Sequence, residues 1–119
     1  MMFSKGGNIH EKVWGREEWI VNNELYCCKF LYIKPRYQCS LHFHKLKTET
    51  FYLIRGKVWL SVQGYSGMMI PGDSITIYPS EQHIFVGETW FRESILLEVS
   101  TQHFEEDSYR ITKSKKVEV

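Results

Sequence analysis

The sequence predicts an all-β fold, a small antiparallel barrel, and three observations carry that expectation. Segments rich in aromatic and β-branched residues recur every eight to twelve residues, the spacing of short strands in sandwiches and barrels. Compact turn chemistry separates them, and no stretch before residue 104 keeps a 3.6-residue apolar period for three turns.

Taken in order, the expected strands are Trp19–Val21, Leu25–Ile33, Gln38–His44, Thr50–Ile54, Lys57–Val62, Ser74–Tyr78, His83–Val86 and Ser94–Val99. The expected breaks are Asn22-Asn23, Lys34-Pro35, Arg55-Gly56, Gly64-Tyr65-Ser66-Gly67, Pro71-Gly72-Asp73 and Gly87-Glu88. No composition shift divides the chain, so residues 1–119 are read as a single domain with its core at about 12–110. Residues 4–8 are expected to form a flexible lead-in, and 111–119, with the run Lys113-Ser114-Lys115-Lys116, a solvated polar tail.

A chain of 119 residues with 43% hydrophobic and 15% aromatic content can bury a proper core without disulfides. Its formal net charge of +1 gives no global field for nucleic acid or a membrane surface. Neither a signal peptide nor an apolar span is evident, which sets a cytoplasmic expectation. The three cysteines are an odd number, and adjacent Cys27 and Cys28 would face opposite sides of a strand, where a disulfide between them would be strained; Cys39 is read as a buried structural thiol. Cys39 is the one near enough to graze a site.

Two ordered blocks carry the chemistry. The first runs His42-Phe43-His44, four residues, Glu49, six residues, Gly56. The second opens at Pro71-Gly72-Asp73 and ends at His83. Three imidazoles and a carboxylate suit a divalent transition metal. On a strand His42 and His44 share one face, with Phe43 on the other. Glu49 is expected on the next antiparallel strand, and barrel closure must bring His83 from a distant one.

These blocks resemble the two motifs of the cupins. His42, His44, Glu49 and Gly56 fit the first, while Arg36 stands where its opening glycine belongs. Gly72 and His83 fit the second, where Tyr78, Ser80 and Gly87 replace a proline, a glycine and an asparagine. A closer resemblance spans about 100 residues. The chain is similar to the cupin domain of bifunctional mannose-1-phosphate guanylyltransferase/mannose-6-phosphate isomerases. The matching pieces are Lys12-Val13-Trp14-Gly15 with Glu18, the strand Tyr26–Pro35, Ser40-Leu41, Glu98-Val99, and Glu105-Glu106-Asp107 leading to Arg110. The nucleotidyltransferase domain and the closing Asp-x-Tyr-Gly-Arg signature are not in this sequence.

The resemblance implies a single-domain cupin holding one divalent ion (Zn, Mn, Co, Ni or Fe) on His42, His44, Glu49 and His83. It implies a metal-dependent aldose–ketose isomerase acting on a sugar phosphate such as mannose 6-phosphate. Glu98 is the first choice for proton transfer, against a solvent-facing edge position, and Arg110 for gripping the phosphate, against an ordinary surface arginine. Lys34, Arg36 and Arg55 are reserve phosphate contacts. Of Phe51, Tyr52, Trp59 and Phe85, those facing inward are read as core before sugar-stacking surface, and His10 and His103 as surface residues. The rival readings are a metal-dependent cupin dioxygenase or oxidase, which calls for an apolar cavity, and a non-catalytic sugar-binding cupin. The strand Trp14–Val21 is expected to be an open edge pairing across a two-fold axis in a homodimer.

Overall fold

Residue periodicity of two decides which side chains of this chain meet, because alternate positions of a strand share a face. The computed structural model describes residues 2–3 and 7–118, so positions 4–6 of the expected lead-in and position 119 lie outside it. Strands run β1 Ile9–Lys12, β2 Gly15–Asn22, β3 Cys27–Ile33, β4 Tyr37–Gln38, β5 His42–Phe43, β6 Glu49–Arg55 and β7 Val58–Val62. They continue β8 Tyr65–Met69, β9 Ser74–Ile77, β10 His83–Gly87, β11 Ser94–Ser100, β12 Tyr109–Arg110 and β13 Lys115–Lys116, with one 3-10 turn at Glu105–Asp107. No helix among the described residues is long and apolar enough to cross a membrane.

Two antiparallel sheets face each other, as expected for the predicted barrel. One has the order β1-β2-β3-β11-β6-β9. In the other, β10 pairs with β7 on one side, and β4 and β5 lie end to end on its other side. β8 extends that sheet from β7, β12 from β5, and β13 from β4. Leu31, Ile33, Leu53, Val58, Leu60, Phe85 and Leu96 form the core between the sheets. Burying each such side chain stabilises the fold by about 1.5–3 kcal/mol.

The structure corrects several local expectations. β6 belongs to the opposite sheet from β5, so Glu49 reaches the histidines across the barrel rather than from a neighbouring strand. Tyr65–Met69 is a strand, since Gln63 and Gly64 both take positive φ and complete the turn alone. β2 is flanked on both sides by β1 and β3, which makes β1 the edge; the open strand expected at Trp14–Val21 is not there. The polar tail is exposed but pinned: β13 pairs with β4, and Leu41 N donates to Thr112 Oγ1 at 2.8 Å.

The two positions where a cupin-type glycine is replaced keep the glycine backbone. Arg36 has φ 62° and Ser80 has φ 71°, both left-handed. Ser80 holds this shape while its N–H donates to His44 O at 2.6 Å, so the strained turn fixes a histidine of the site. Ser80→Gly is therefore expected to raise stability by about 0.5–1 kcal/mol, relief of strain exceeding the entropic cost of glycine. A urea midpoint that stays put or falls would show that the serine is unstrained there.

Candidate metal centre and its cavity

Four strands change character at the same end of the barrel. Along its inward face β3 reads Ile33, Leu31, Lys29, while β11 reads Ser94, Leu96, Glu98. β6 reads Leu53, Phe51, Glu49, and β10 ends its inward face Phe85, His83. The register sets Glu98 opposite Lys29 on one side and, on the other, opposite Phe51, one inward position before Glu49. Lys29, Glu49, Glu98 and His83 are all buried, so the apolar core gives way to a buried ionisable layer. A cavity of about 320 Å³ opens from it.

His42 and His83 are cross-strand partners, which places their ring centroids 4.2 Å apart. Each site histidine turns Nδ1 to a backbone carbonyl: His42 to Ser40 O at 2.7 Å, His44 to Asp107 O at 3.1 Å, and His83 to Glu81 O at 2.9 Å. Nδ1 must carry the proton to donate there, which leaves Nε2 of each neutral ring as a lone-pair donor. One ligand atom from each of the three rings lies within 4.8 Å of the others. Burial, and after it the neighbouring His83, pushes the His42 imidazolium down to about 3; burial and then the Lys47 ammonium push His44 down to about 4. Both rings are thus held in the form that binds metal.

Glu49 stands beside them. Its Oε1 is 2.9 Å from His83 Nε2 and 3.8 Å from His44 Nε2, and its Oε2 is 3.0 Å from Lys47 Nζ. Burial alone would raise this carboxyl, but the Lys47 ammonium holds it well below the usual carboxylate range. Despite their closeness, Glu49 Oε1 and His83 Nε2 lack hydrogen-bond alignment, and both are buried without a partner. Unsatisfied buried groups of this kind are costly. Oriented Nε2 lone pairs, an ionised carboxylate oxygen and two orphaned atoms among them are a donor set that fits a divalent transition ion.

Lys47 and His103, both in irregular segments outside the strands, complete the site beside Glu98. Lys47, in the loop between His44 and Glu49, is buried, with Nζ 3.0 Å from Glu98 Oε2 and 3.1 Å from His103 Nδ1. His103, expected on the surface, is instead buried against Lys47, and its Nε2 meets Glu105 Oε2 at 3.1 Å. It is drawn in because Asn22 clamps its backbone through two hydrogen bonds, and Trp19 packs edge-on against its ring. Asp107 closes the loop by accepting the N–H groups of Lys45, Leu46 and Lys47. His10 stays at the surface side, stacked on Trp19 at 4.2 Å.

Glu98 points inward rather than to a solvent edge. Burial pushes its carboxyl up and Lys47 opposes that rise. Arg110, the ladder partner of His42, lies at the cavity rim; its side chain is 51% exposed, and Nη2 donates to Glu105 Oε1 at 3.1 Å. Of the reserve cations, Arg36 pairs with Glu88 at 2.8 Å, and Lys34, Arg36 and Arg55 are absent from the cavity lining. Phe51 and Phe85 face inward and line the cavity, while Tyr52 is exposed and Trp59 half-buried. Cys39 also lines it as a free thiol pushed up to about 12 by burial.

The sequence matches no protein-family model and no curated protein sequence. Solved structures do match in shape. Streptomyces PAC13, solved with uridine, aligns with a TM-score of 0.77 at 14% identity over 99% of this chain and 95% of that one. KdgF from a Halomonas species aligns at 0.75 and 12% identity over 88% and 98%. A putative sugar phosphate isomerase from Acidithiobacillus ferrooxidans aligns at 0.59 and 18% identity over 68% of this chain and 52% of that one. These identities speak to architecture alone, and the architecture is the cupin fold.

Proposed function

We propose that this chain is a metal-dependent aldose–ketose isomerase acting on a small sugar or sugar phosphate of the mannose 6-phosphate kind. The observation that carries the proposal is the buried carboxyl of Glu98, which lines a polar cavity together with His42, His44 and Glu49. Interconverting an aldose and a ketose moves one proton between adjacent carbons while negative charge builds on oxygen. A divalent ion held by His42, His44, Glu49 and His83 would supply Lewis acidity for that charge.

The protein's own groups supply the rest. Glu98 takes the proton from the hydroxyl-bearing carbon and returns it to the former carbonyl carbon, while the hydroxyl proton passes to the former carbonyl oxygen. Lys47 fixes Glu98 by one oxygen, at 3.0 Å, and no side-chain hydrogen bond engages the other oxygen among the described residues. A cavity of about 320 Å³ suits one open-chain sugar. Its charged lining is the opposite of the apolar chamber that the dioxygenase reading calls for, so that reading is the weaker one.

The test is turnover of hexose and pentose phosphates, and of the free sugars, in deuterated water with manganese, zinc, cobalt, nickel or iron. Aldose–ketose exchange with deuterium at C1 or C2 of the recovered product is the expected result. Neither exchange nor label with any of them would leave a binding protein on a cupin scaffold as the better description.

A further inference from the structure

Lys29 is the most buried cation of the cavity, 1% exposed, and the isomerase mechanism gives it no task. It occupies an inward position of β3 in phase with Leu31 and Ile33, where an apolar residue would cost far less. Its nearest counter-charge, Glu17 Oε1, is 3.6 Å from Nζ, beyond hydrogen-bond reach. That same oxygen already accepts Trp19 Nε1–H at 2.8 Å. Trp19 also lies under the ammonium, 4.3 Å from its ring centroid. Lys47, by contrast, is committed to two carboxylates and His103, and Arg110 to Glu105 at the rim. Lys29 is therefore a desolvated ammonium, held by an ion pair and an aromatic face, with donor capacity left over in the cavity.

Charge balance agrees. Among the described residues five carboxylates and four cationic side chains line the cavity, so a single divalent ion leaves it with a positive excess. We infer that Lys29 anchors an anionic oxygen group of the substrate, a carboxylate or a phosphate, inside this cavity. The anion anchor is thus inside the barrel and not the exposed Arg110. The inference deepens the isomerase reading but rests on it only in taking this cavity as the substrate site.

Binding, not turnover, tests it. Metal-loaded protein is titrated calorimetrically with glucuronate, glucose 6-phosphate and glucose. The wild type is expected to bind at least one of the two anions ten-fold or more tightly than glucose. A preference for glucuronate identifies a carboxylate ligand, and one for glucose 6-phosphate a phosphate ligand. Lys29→Met should erase that preference and leave metal content and glucose binding as they were. If the single variant fails to fold because Glu17 loses its partner, Lys29→Met/Glu17→Gln removes both charges and reads the same loss. A wild type without anion preference, or a preference that survives removal of Lys29, overturns the inference. An intact anion preference without any isomerisation would sink the isomerase reading alone.

Discussion

His44→Ala is expected to weaken binding of manganese or zinc at least about 100-fold, because it removes one of three converging imidazoles and not an outer-shell support. The strands should survive, since His44 lies in the loop after β5 and its backbone carbonyl still receives Ser80 N–H. Metal content by atomic emission, with thermal unfolding of the metal-free protein as the folding control, decides the matter. A variant that folds and keeps stoichiometric metal would remove His44 from the ligand set.

The same site predicts an acid profile. In the folded chain His42 and His44 titrate at about 3 and about 4, against 6.5 when unfolded. A depressed histidine leaves the unfolded chain binding more protons between those values. The stability that these two rings contribute to the metal-free protein is thus fully present above about pH 6.5 and is lost as pH falls through about 4 and then about 3. Metal, which needs these two rings neutral, should still be held at pH 5.5. Release already at pH 6.5 would mean that the two imidazoles are not desolvated as the structure has them.

How much of this was readable beforehand depends on how local each signal is. His42, His44, Glu49 and His83 stand at fixed spacings, and barrel closure makes His42 and His83 cross-strand partners. The sheet that each strand joins was not readable, since spacing is silent on whether a loop crosses the barrel; hence the misplacement of Glu49. Lys29 and Glu98 did carry a signal. Each falls on the inward phase of a strand otherwise filled with Leu, Ile or Ser, and a period-two reading of Cys27–Ile33 exposes the lysine at once. Lys47 and His103 carried none. Both sit in irregular segments where no periodicity assigns a face, and only Asp107 and Asn22, 60 and 81 residues away, fold them inward. Arg110 was legible only from its place after the acidic stretch; the structure sets it at the cavity rim, with Nη2 donating to Glu105 five positions before it.

Glu98→Gln is expected to lower kcat by about 100- to 10,000-fold with little change in KM, the loss typical of removing a positioned acid–base group. The substitution is close to isosteric and retains an acceptor for Lys47 Nζ, so the buried ammonium is not stranded. It removes the one function that matters here, reversible protonation. Removing Lys47 instead would strip a counter-charge from two carboxylates and mix stability with chemistry. The pH profile supplies a second readout. Because burial raises the Glu98 carboxyl above its ordinary 4.5, the acidic limb of kcat should fall at a pH above that value in the wild type. In Glu98→Gln the limb should vanish from the residual rate. A variant that keeps wild-type kcat, or an acidic limb unmoved by the substitution, would assign the proton transfer to another group. The next to test is His103, which the same ammonium links to Glu98.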